Sequence, residues 1–235
     1  MQANKGIRCL VYFFSVLSMM SAKSADNLIY ITQSGGSSAL TMNIDQVGNS
    51  NVVGTSSARV SLTGTSMTVD IDQLGDSNVI AATVAQGNST SFTLSSTGDS
   101  NEQTLALGAT GDVQNTDFDF AAQGDSNVLL YTQGDAATST AANADFDISG
   151  TSNNLNVKCN VVGCVNSWEI SGDGNDIDTV QANNADHSIT AAITGSSNNI
   201  DIDQSSTGGS VSDIVDIVAA TGSGTIDIDQ CSSGC

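Results

Sequence analysis

The aspartates of this 235-residue chain recur at regular spacing, and they are the side chains best suited to bind an ion or a proton. Asp178, Asp201 and Asp227 each follow the same position of a repeated motif by three residues. If the repeats stack as strands ~4.8 Å apart, neighbouring carboxylates repel each other by about 1 kcal/mol per pair in water. A bridging Ca²⁺ ion, which prefers oxygen ligands, or protonation in acid would remove this repulsion. Alternatively, the like charges only keep monomers apart and soluble, which is the interpretation we favour. No other cofactor is predicted.

Four cysteines, Cys159, Cys164, Cys231 and Cys235, favour disulfide chemistry. In an exported protein, disulfides are the usual state of paired cysteines. The two pairs are about three repeats apart, roughly 14 Å along a stack of strands, and a disulfide cannot span that distance. We therefore predict the local bridges Cys159–Cys164 and Cys231–Cys235. A zinc site and bridges between chains are less favoured alternatives, because no histidine lies near the cysteines in sequence.

Residues suited to catalysis are scarce. His187 is the only histidine, and no grouping of serine, histidine and aspartate stands out in the sequence. The carboxylates follow a repetitive pattern that is typical of an outer surface and not of a cleft. We therefore expect His187 on the surface, Trp168 in the core, and no enzymatic activity.

The first 24 residues have the layout of a secretory signal peptide. Lys5 and Arg8 precede an apolar run over residues 9–17, and small residues follow at Ala22 and Ser24. The apolar run is shorter than the ~20 residues that a membrane-spanning helix needs. The sequence thus predicts a leader over residues 1–24, a mature domain over residues 25–235, and a secreted, extracellular location.

The composition of the mature domain excludes several classes of partner. Removal of the leader would leave Arg59 and Lys158 against 25 acidic side chains, a net charge of −23. Such a surface repels nucleic acid and anionic membranes, so no nucleic-acid partner is expected. The chain contains no proline, which is consistent with sheet, because proline cannot donate to a backbone ladder.

One motif, Gly-x-Ser-Asn with variants, recurs eight times, with 22 to 27 residues between successive first glycines. Glycine and asparagine tolerate left-handed backbone conformations, so the motif predicts a turn. A fixed period of this length is typical of solenoids. The first four copies are marked by Gly48 and Asn51, Gly75 and Asn78, Gly98 and Asn101, and Gly124 and Asn127. Later copies begin at Gly150, Gly172, Gly195 and Gly222.

Apolar and polar residues alternate on both sides of each turn, as in residues 67–73 and 199–204. This period of two is typical of strands that bury one face. A second, less regular turn, for example at residues 86–89, closes each unit. We predict an all-β fold, a β-solenoid of about eight coils with two strands per coil, stacked in parallel around a thin core.

Glutamines recur at inward positions close to the turns, where their amides can bond along the stack. Some follow the asparagine position by six residues, and others precede a turn glycine by two. These are Gln46, Gln73, Gln133, Gln181, Gln204 and Gln230.

Together, these spacings resemble the curlin repeat, Ser-x5-Gln-x-Gly-x2-Asn-x5-Gln. Its centre is matched at residues 46–51 and 73–78, and its second half at residues 127–133, 175–181 and 198–204. The resemblance implies a structural subunit of an extracellular curli-like amyloid fibre in a biofilm matrix. It also implies, as partners, further copies of the chain, related fibre subunits or a nucleator, and an outer-membrane secretion apparatus.

A second interpretation is a monomeric acidic β-solenoid that works as an adhesin or surface-binding module. Ice binding and Ca²⁺ binding belong to this class. The regular outward rows hold aspartate, whereas ice binding generally uses threonine rows, so adhesion ranks above ice binding.

Overall fold

The computed structural model describes residues 27–29, 31, 39–48, 50–54, 60–75, 77–98, 101–107, 113–134, 140–183, 187–206 and 213–232. The predicted leader and Cys235 lie outside these ranges. The described residues form strands joined by turns and bends, and none of them belongs to a helix that could cross a membrane.

The strands are β1 (Asn27–Leu28), β2 (Leu40–Val47), β3 (Asn51–Val52), β4 (Val60–Thr65), β5 (Met67–Leu74), β6 (Val79–Asn88), β7 (Ser91–Thr97), β8 (Glu102–Leu107), β9 (Val113–Gln123), β10 (Val128–Gln133), β11 (Thr140–Ser149), β12 (Asn154–Cys159), β13 (Val162–Ser171), β14 (Asp176–Asn183), β15 (Ser188–Gly195), β16 (Asn198–Ser206), β17 (Ile214–Thr221) and β18 (Gly224–Ser232).

The strands stack in two parallel ladders. Ladder A consists of β2, β5, β7, β9, β11, β13, β15 and β17. Ladder B consists of β1, β3, β6, β8, β10, β12, β14, β16 and β18. Strand β4 also belongs to ladder B, because β3 pairs with the start of the long strand β6 and β4 pairs with its later residues. Each coil contributes one strand to each ladder. The predicted all-β solenoid with two strands per coil and parallel stacking is therefore confirmed.

The core is the single layer of side chains between the two ladders. Burial alternates along the strands, for example in β16, so every second residue is inward. In mid-stack the layer is widened by aromatic rings, where Phe118 stacks on Tyr131 at a centroid distance of 4.7 Å. Trp168 is only 2% exposed, as predicted. A core one layer thick buries little area per coil, so each coil depends on the backbone hydrogen bonds to its neighbours.

Glycine is required at the first turn because successive coils approach each other most closely there. The turn glycines have positive φ, for example 132° at Gly172. A β-carbon added at Gly172 would lie 1.8 Å from the carbonyl oxygen of Gly150 in the preceding coil. The corresponding distances are 1.6 Å at Gly75 and 1.7 Å at Gly98. The repeated glycine of the motif is thus explained by coil spacing as well as by turn conformation.

Two details of the predicted turns need correction. In the later copies the left-handed residue after the glycine is the serine, with φ of 61° at Ser126 and 58° at Ser152, and not the asparagine. The asparagine points inward, where it makes hydrogen bonds described below. The second turn predicted at residues 86–89 is also shorter than expected, because β6 continues through Asn88 and pairs with β4 and β9.

Replacing Gly172 with alanine should destabilise the fold strongly, because the new methyl group would overlap the Gly150 carbonyl oxygen. We expect the free energy of unfolding to fall by about 3 kcal/mol or more. Gly174→Ala is the matched control, since its nearest atom would be the Ser152 hydroxyl at 3.8 Å and its φ is 68°. The control should lose only the left-handed cost of about 1–2 kcal/mol. Urea unfolding of both variants measures the difference, and equal losses would contradict the close-contact explanation.

Candidate functional site

The asparagines of the motif form a buried ladder along one edge of the core. The Asn127 side-chain nitrogen donates to the Gly124 carbonyl at 2.7 Å, which closes its own turn. It also donates to Oδ1 of Asn153 in the next coil at 3.0 Å, and that oxygen accepts from the Asn127 backbone N–H at 2.9 Å. The same backbone-to-Oδ1 bond links Asn153 to Asn175 and Asn175 to Asn198. Asn78, Asn101, Asn127 and Asn175 close their own turns in this way, whereas Asn153 and Asn198 take part only through their accepting oxygens.

The asparagine ladder differs at its two ends. At the C-terminal end Gly224 takes the asparagine place opposite Asn198. Its backbone lies so close that an added β-carbon would be 2.5 Å from the Asn198 carbonyl oxygen. At the N-terminal end, the backbone of Asn27 pairs in register with Asn51.

Glutamine ladders form where glutamines occupy neighbouring coils. Gln73 donates to Gln46 at 2.7 Å. Gln204 donates to Gln181, and Gln230 to Gln204, both at 2.7 Å. In each bond the later coil donates to the earlier one.

Gln133 does not join this ladder, although the sequence predicts that it does. Cys159 lies between Gln133 and Gln181 in the register, and Gln133 instead accepts a hydrogen bond from the Tyr131 hydroxyl. Gln103, which the prediction did not include, is fully buried in an otherwise apolar inward column. Among the described residues, neither of its side-chain amide atoms has a hydrogen-bond partner.

A disulfide joins Cys159 to Cys164, with 6.4 Å between the α-carbons. This is the local bridge that the sequence predicts, and it spans the turn between β12 and β13. Cys231 is also disulfide-bonded. Its predicted partner, Cys235, lies outside the described residues.

His187 is buried, and the prediction that it lies on the surface is wrong. It precedes Ser188, which pairs in register with Val165, so it stacks beside Cys164 at an inward position. The His187 Nδ1 accepts a hydrogen bond from the Cys164 backbone N–H at 3.4 Å. The backbone N–H of His187 donates to the Asp213 carboxylate at 3.1 Å. The Cys164 sulfur is fully buried and bonded to Cys159, so this cysteine, histidine and aspartate grouping holds no accessible nucleophile.

The predicted aspartate rows are in register on the outer face of ladder B. Asp178 pairs with Asp201, and Asp201 with Asp227. Beside them Asp203 pairs with Asp229. Desolvation, followed by the charges of Asp201 and Asp229, raises the pKa of Asp203 above its ordinary value of 3.8. Within the described ranges, no group of three or more histidine, cysteine or acidic side chains is arranged to hold a metal ion, and Ca²⁺ binding by these aspartates stays a prediction.

A second acidic surface lies on the outer face of ladder A. An open hollow of about 320 Å³ forms where the short side chains of Ser95 and Ala121 lie among longer neighbours. Its rim carries Asp119, Asp145, Asp147 and Glu169. Desolvation, followed by the charges of Asp117 and Asp145, raises the pKa of Asp119. The hollow therefore has the charge to attract cations.

The C-terminal coil, formed by β17 and β18, ends the stack with an open edge. In the described structure β17 pairs only with β15, and β18 only with β16, so each has one free backbone edge. Ile226 and Ile228 occupy inward columns yet are 41% and 40% exposed. Val53, in the same column as Ile226 but near the other end, is fully buried. The core is thus covered near its N-terminal end and open at its C-terminal end.

Strand β17 carries apolar side chains on both faces, with Asp216 between them on the outer face, and the sequence analysis missed this. Val215 and Ile217 pack on the core, while Ile214 and Val218 on the outer face are 52% and 71% exposed. The near-continuous apolar run over residues 214–220 is the sequence signal, since strands buried on both faces lack alternation. This strand therefore has apolar surface available to a partner on its edge and outer face.

Comparison with known proteins gives no relative. No family model matches the chain, and no curated protein or solved structure is significantly similar to it. The functional argument therefore depends on the repeat and the geometry of this chain.

Acidification should stabilise the fold between neutral pH and about pH 4.5. The pKa values of Asp70, Asp119 and Asp203 are raised in the folded state, so these groups take up protons more readily when folded. The destabilisation that they cause at neutral pH is relieved as pH falls towards their ordinary value of 3.8. Urea midpoints at pH 7 and pH 4.5 measure the effect, and a lower midpoint at pH 4.5 would contradict it.

Single variants separate the contributions to this pH dependence. Asp203→Asn should be more stable than the parent at pH 7 and gain less on acidification. Asp125→Asn should be less stable than the parent at pH 7 and should gain more stability on acidification. The reason is that the Thr151 backbone N–H, which donates to Asp125 at 2.8 Å, lowers the pKa of that carboxyl.

Proposed function

We propose that this protein is a secreted structural subunit that assembles end to end into an extracellular, curli-like fibre. The observation that carries the proposal is the open edge of the C-terminal coil. Within the described residues both of its strands have one edge without a paired strand, and Ile226 and Ile228 beside them are partly exposed. A parallel strand edge with exposed apolar columns is a template for adding another strand.

A second copy of the chain matches this edge better than an unrelated protein would. Its own coils have the same strand spacing, and the matching inward columns of its first ladder B strands hold Val53, Val60 and Leu62. Gln230 is exposed at the edge, and its side chain already continues the row through Gln204. Another coil would extend both backbone ladders and cover the exposed inward columns, as strands do in cross-β fibres.

Several sequence features support an extracellular role for such a fibre. The N-terminal 24 residues have the layout of a signal peptide, and a disulfide joins Cys159 to Cys164. Disulfides persist mainly in oxidising compartments. The resemblance to the curlin repeat adds the expectation of a biofilm matrix, related subunits or a nucleator, and an outer-membrane secretion apparatus. The fibre would be a material, and no enzymatic activity is proposed.

The acidic faces would control when copies meet. Rows of aspartate lie on the outer faces of both ladders, whereas the inward columns exposed at the C-terminal edge are uncharged. Lateral approach is therefore opposed by charge, and approach at the ends is opposed less. Salt or acid would reduce the remaining repulsion, and Ca²⁺ bridging of Asp178, Asp201 and Asp227 belongs to the same proposal.

A monomeric surface-binding role is the second candidate, and the acidic hollow on ladder A is the observation that favours it. In that case the purified chain would stay monomeric and bind cationic surfaces through Asp119, Asp145, Asp147 and Glu169. The state of the purified chain therefore separates the two candidates.

Purified residues 25–235 should form fibres that bind thioflavin and give a reflection at about 4.7–4.8 Å. Ile226→Asp should slow fibre growth by at least about tenfold, equivalent to 1.4 kcal/mol of docking free energy. The reason is that docking would bury the new charge against an apolar column. Thioflavin fluorescence and sedimentation measure the rates.

Thr225→Asp is the matched control for that experiment. It adds the same charge one residue away, on the exposed outer side of β18, and should slow growth far less. Equal rates for Ile226→Asp and the parent chain would contradict docking at this edge. A parent chain that stays monomeric would contradict the fibre proposal itself.

A further inference from the structure

We propose that residues 27–29 and 31, the N-terminal half-coil, cap the site where strand β18 of another copy docks. The inference depends on the proposed end-to-end assembly and adds a condition to it. The half-coil must leave ladder B before two copies can join with both ladders continuous.

The half-coil behaves as a ladder B strand with no ladder A strand of its own in the described structure. Asn27 pairs with Asn51 and Leu28 with Val52. The Ile29 N–H then donates to the Val52 carbonyl at 3.0 Å, and the Ser61 N–H donates to the Ile31 carbonyl at 3.2 Å. Ile29 and Ile31 pack against the core. Because of this strand, ladder B begins one strand earlier than ladder A.

The half-coil resembles β18 position by position. Asn27, Ile29 and Ile31 have the same spacing as Gly224, Ile226 and Ile228. Asn27 and Gly224 both lie in the asparagine column, because each pairs in register with a motif asparagine. The half-coil therefore covers the edge of β3 in the way that β18 of a preceding copy would cover it.

The order of strands along the chain shows why both cannot be present. Each coil runs from a ladder A strand to a ladder B strand, and each ladder advances by one strand per coil. If the half-coil stays, β18 of one copy can pair only with β1 of the next. The two nearest ladder A strands, β17 and β2, are then separated by a missing strand, at about 9.6 Å, twice the strand spacing.

Departure of the half-coil removes this gap. Strand β18 then pairs with β3, and β17 pairs with β2, so both ladders continue from one copy to the next. A gap would instead leave two rows of backbone N–H and C=O groups unpaired inside the junction, which is costly. The continuous junction is therefore the one that the geometry favours.

An intramolecular cap also has a concentration advantage over a second copy. A tethered segment acts at an effective concentration on the order of millimolar. In dilute solution the half-coil would occupy the docking site, and at high concentration β18 of another copy would displace it. This dependence would delay assembly until the chain accumulates outside the cell.

A reversible crosslink tests the proposal. Leu28→Cys with Val52→Cys in residues 25–235 places cysteines at register partners on adjacent strands ~4.8 Å apart, a separation compatible with a disulfide. The oxidised variant should assemble at least about tenfold more slowly than the parent. Reduction of the engineered disulfide should restore assembly. The parent chain measured in the same reductant shows how much of any change comes from loss of the native disulfides.

The matched control is Asn199→Cys with Thr225→Cys, which lies in the same outward column at the other end of ladder B. This crosslink fixes β18 to its own neighbour and leaves the docking edges free, so it should not slow assembly. Ile29→Asp provides the opposite change, because it removes an apolar contact of the half-coil and should speed assembly.

The outcomes separate this inference from the proposed function. Slow assembly of the oxidised Leu28→Cys, Val52→Cys variant, reversed by reduction, supports the cap. Faster assembly of Ile29→Asp than of the parent also supports it. If the parent assembles and the oxidised variant keeps pace with it, the cap is overturned and the fibre proposal stands. If neither the parent, the reduced variant nor Ile29→Asp assembles, both proposals are overturned.

Discussion

Backbone stacking at one strand spacing is the constraint from which the rest of this molecule follows. Adjacent coils come so close at the first turn that the carbonyl oxygen of one glycine fills the space of a β-carbon in the next coil. Only glycine satisfies that contact, so the glycine recurs once per coil. The asparagine three residues later bonds to the same carbonyl and to the next coil. Turn closure and coil stacking at Asn127 are therefore achieved by the same few atoms.

Much of this architecture could be predicted from the sequence, because the features concerned are local and repeated. The period of the motif gave the coils, and the alternation around it gave the inward positions that Ile71, Phe118 and Ile200 occupy. The errors arose where the outcome depends on which residues become neighbours in adjacent coils. Gln133 meets Cys159 and not another glutamine. His187 is buried because it follows Cys164 by one coil, a relation that neither residue reveals alone.

The outer faces of the two ladders differ in where their charged and apolar side chains lie along the stack. Ladder A carries most of its carboxylates in its early and middle strands, and at β17 exposed Ile214 and Val218 flank the single carboxylate Asp216. Ladder B shows the reverse trend, from exposed Val128 and Leu130 in β10 to the aspartate rows that end at β18. The C-terminal coil therefore has a mainly apolar outer face on β17, interrupted by Asp216, and an acidic outer face on β18. A coil of this kind can be approached from one side and repels similar surfaces on the other.

The two kinds of amide ladder also have an electrostatic consequence. The asparagine side chains of Asn51, Asn101 and Asn127 donate towards the C-terminal end of the stack. The glutamine side chains of Gln73, Gln204 and Gln230 donate towards the N-terminal end. Aligned amide dipoles add head to tail, as they do in a helix, and leave partial charges at the ends. Here the two rows point in opposite directions, so the partial charges that they leave at a given end of the stack have opposite signs.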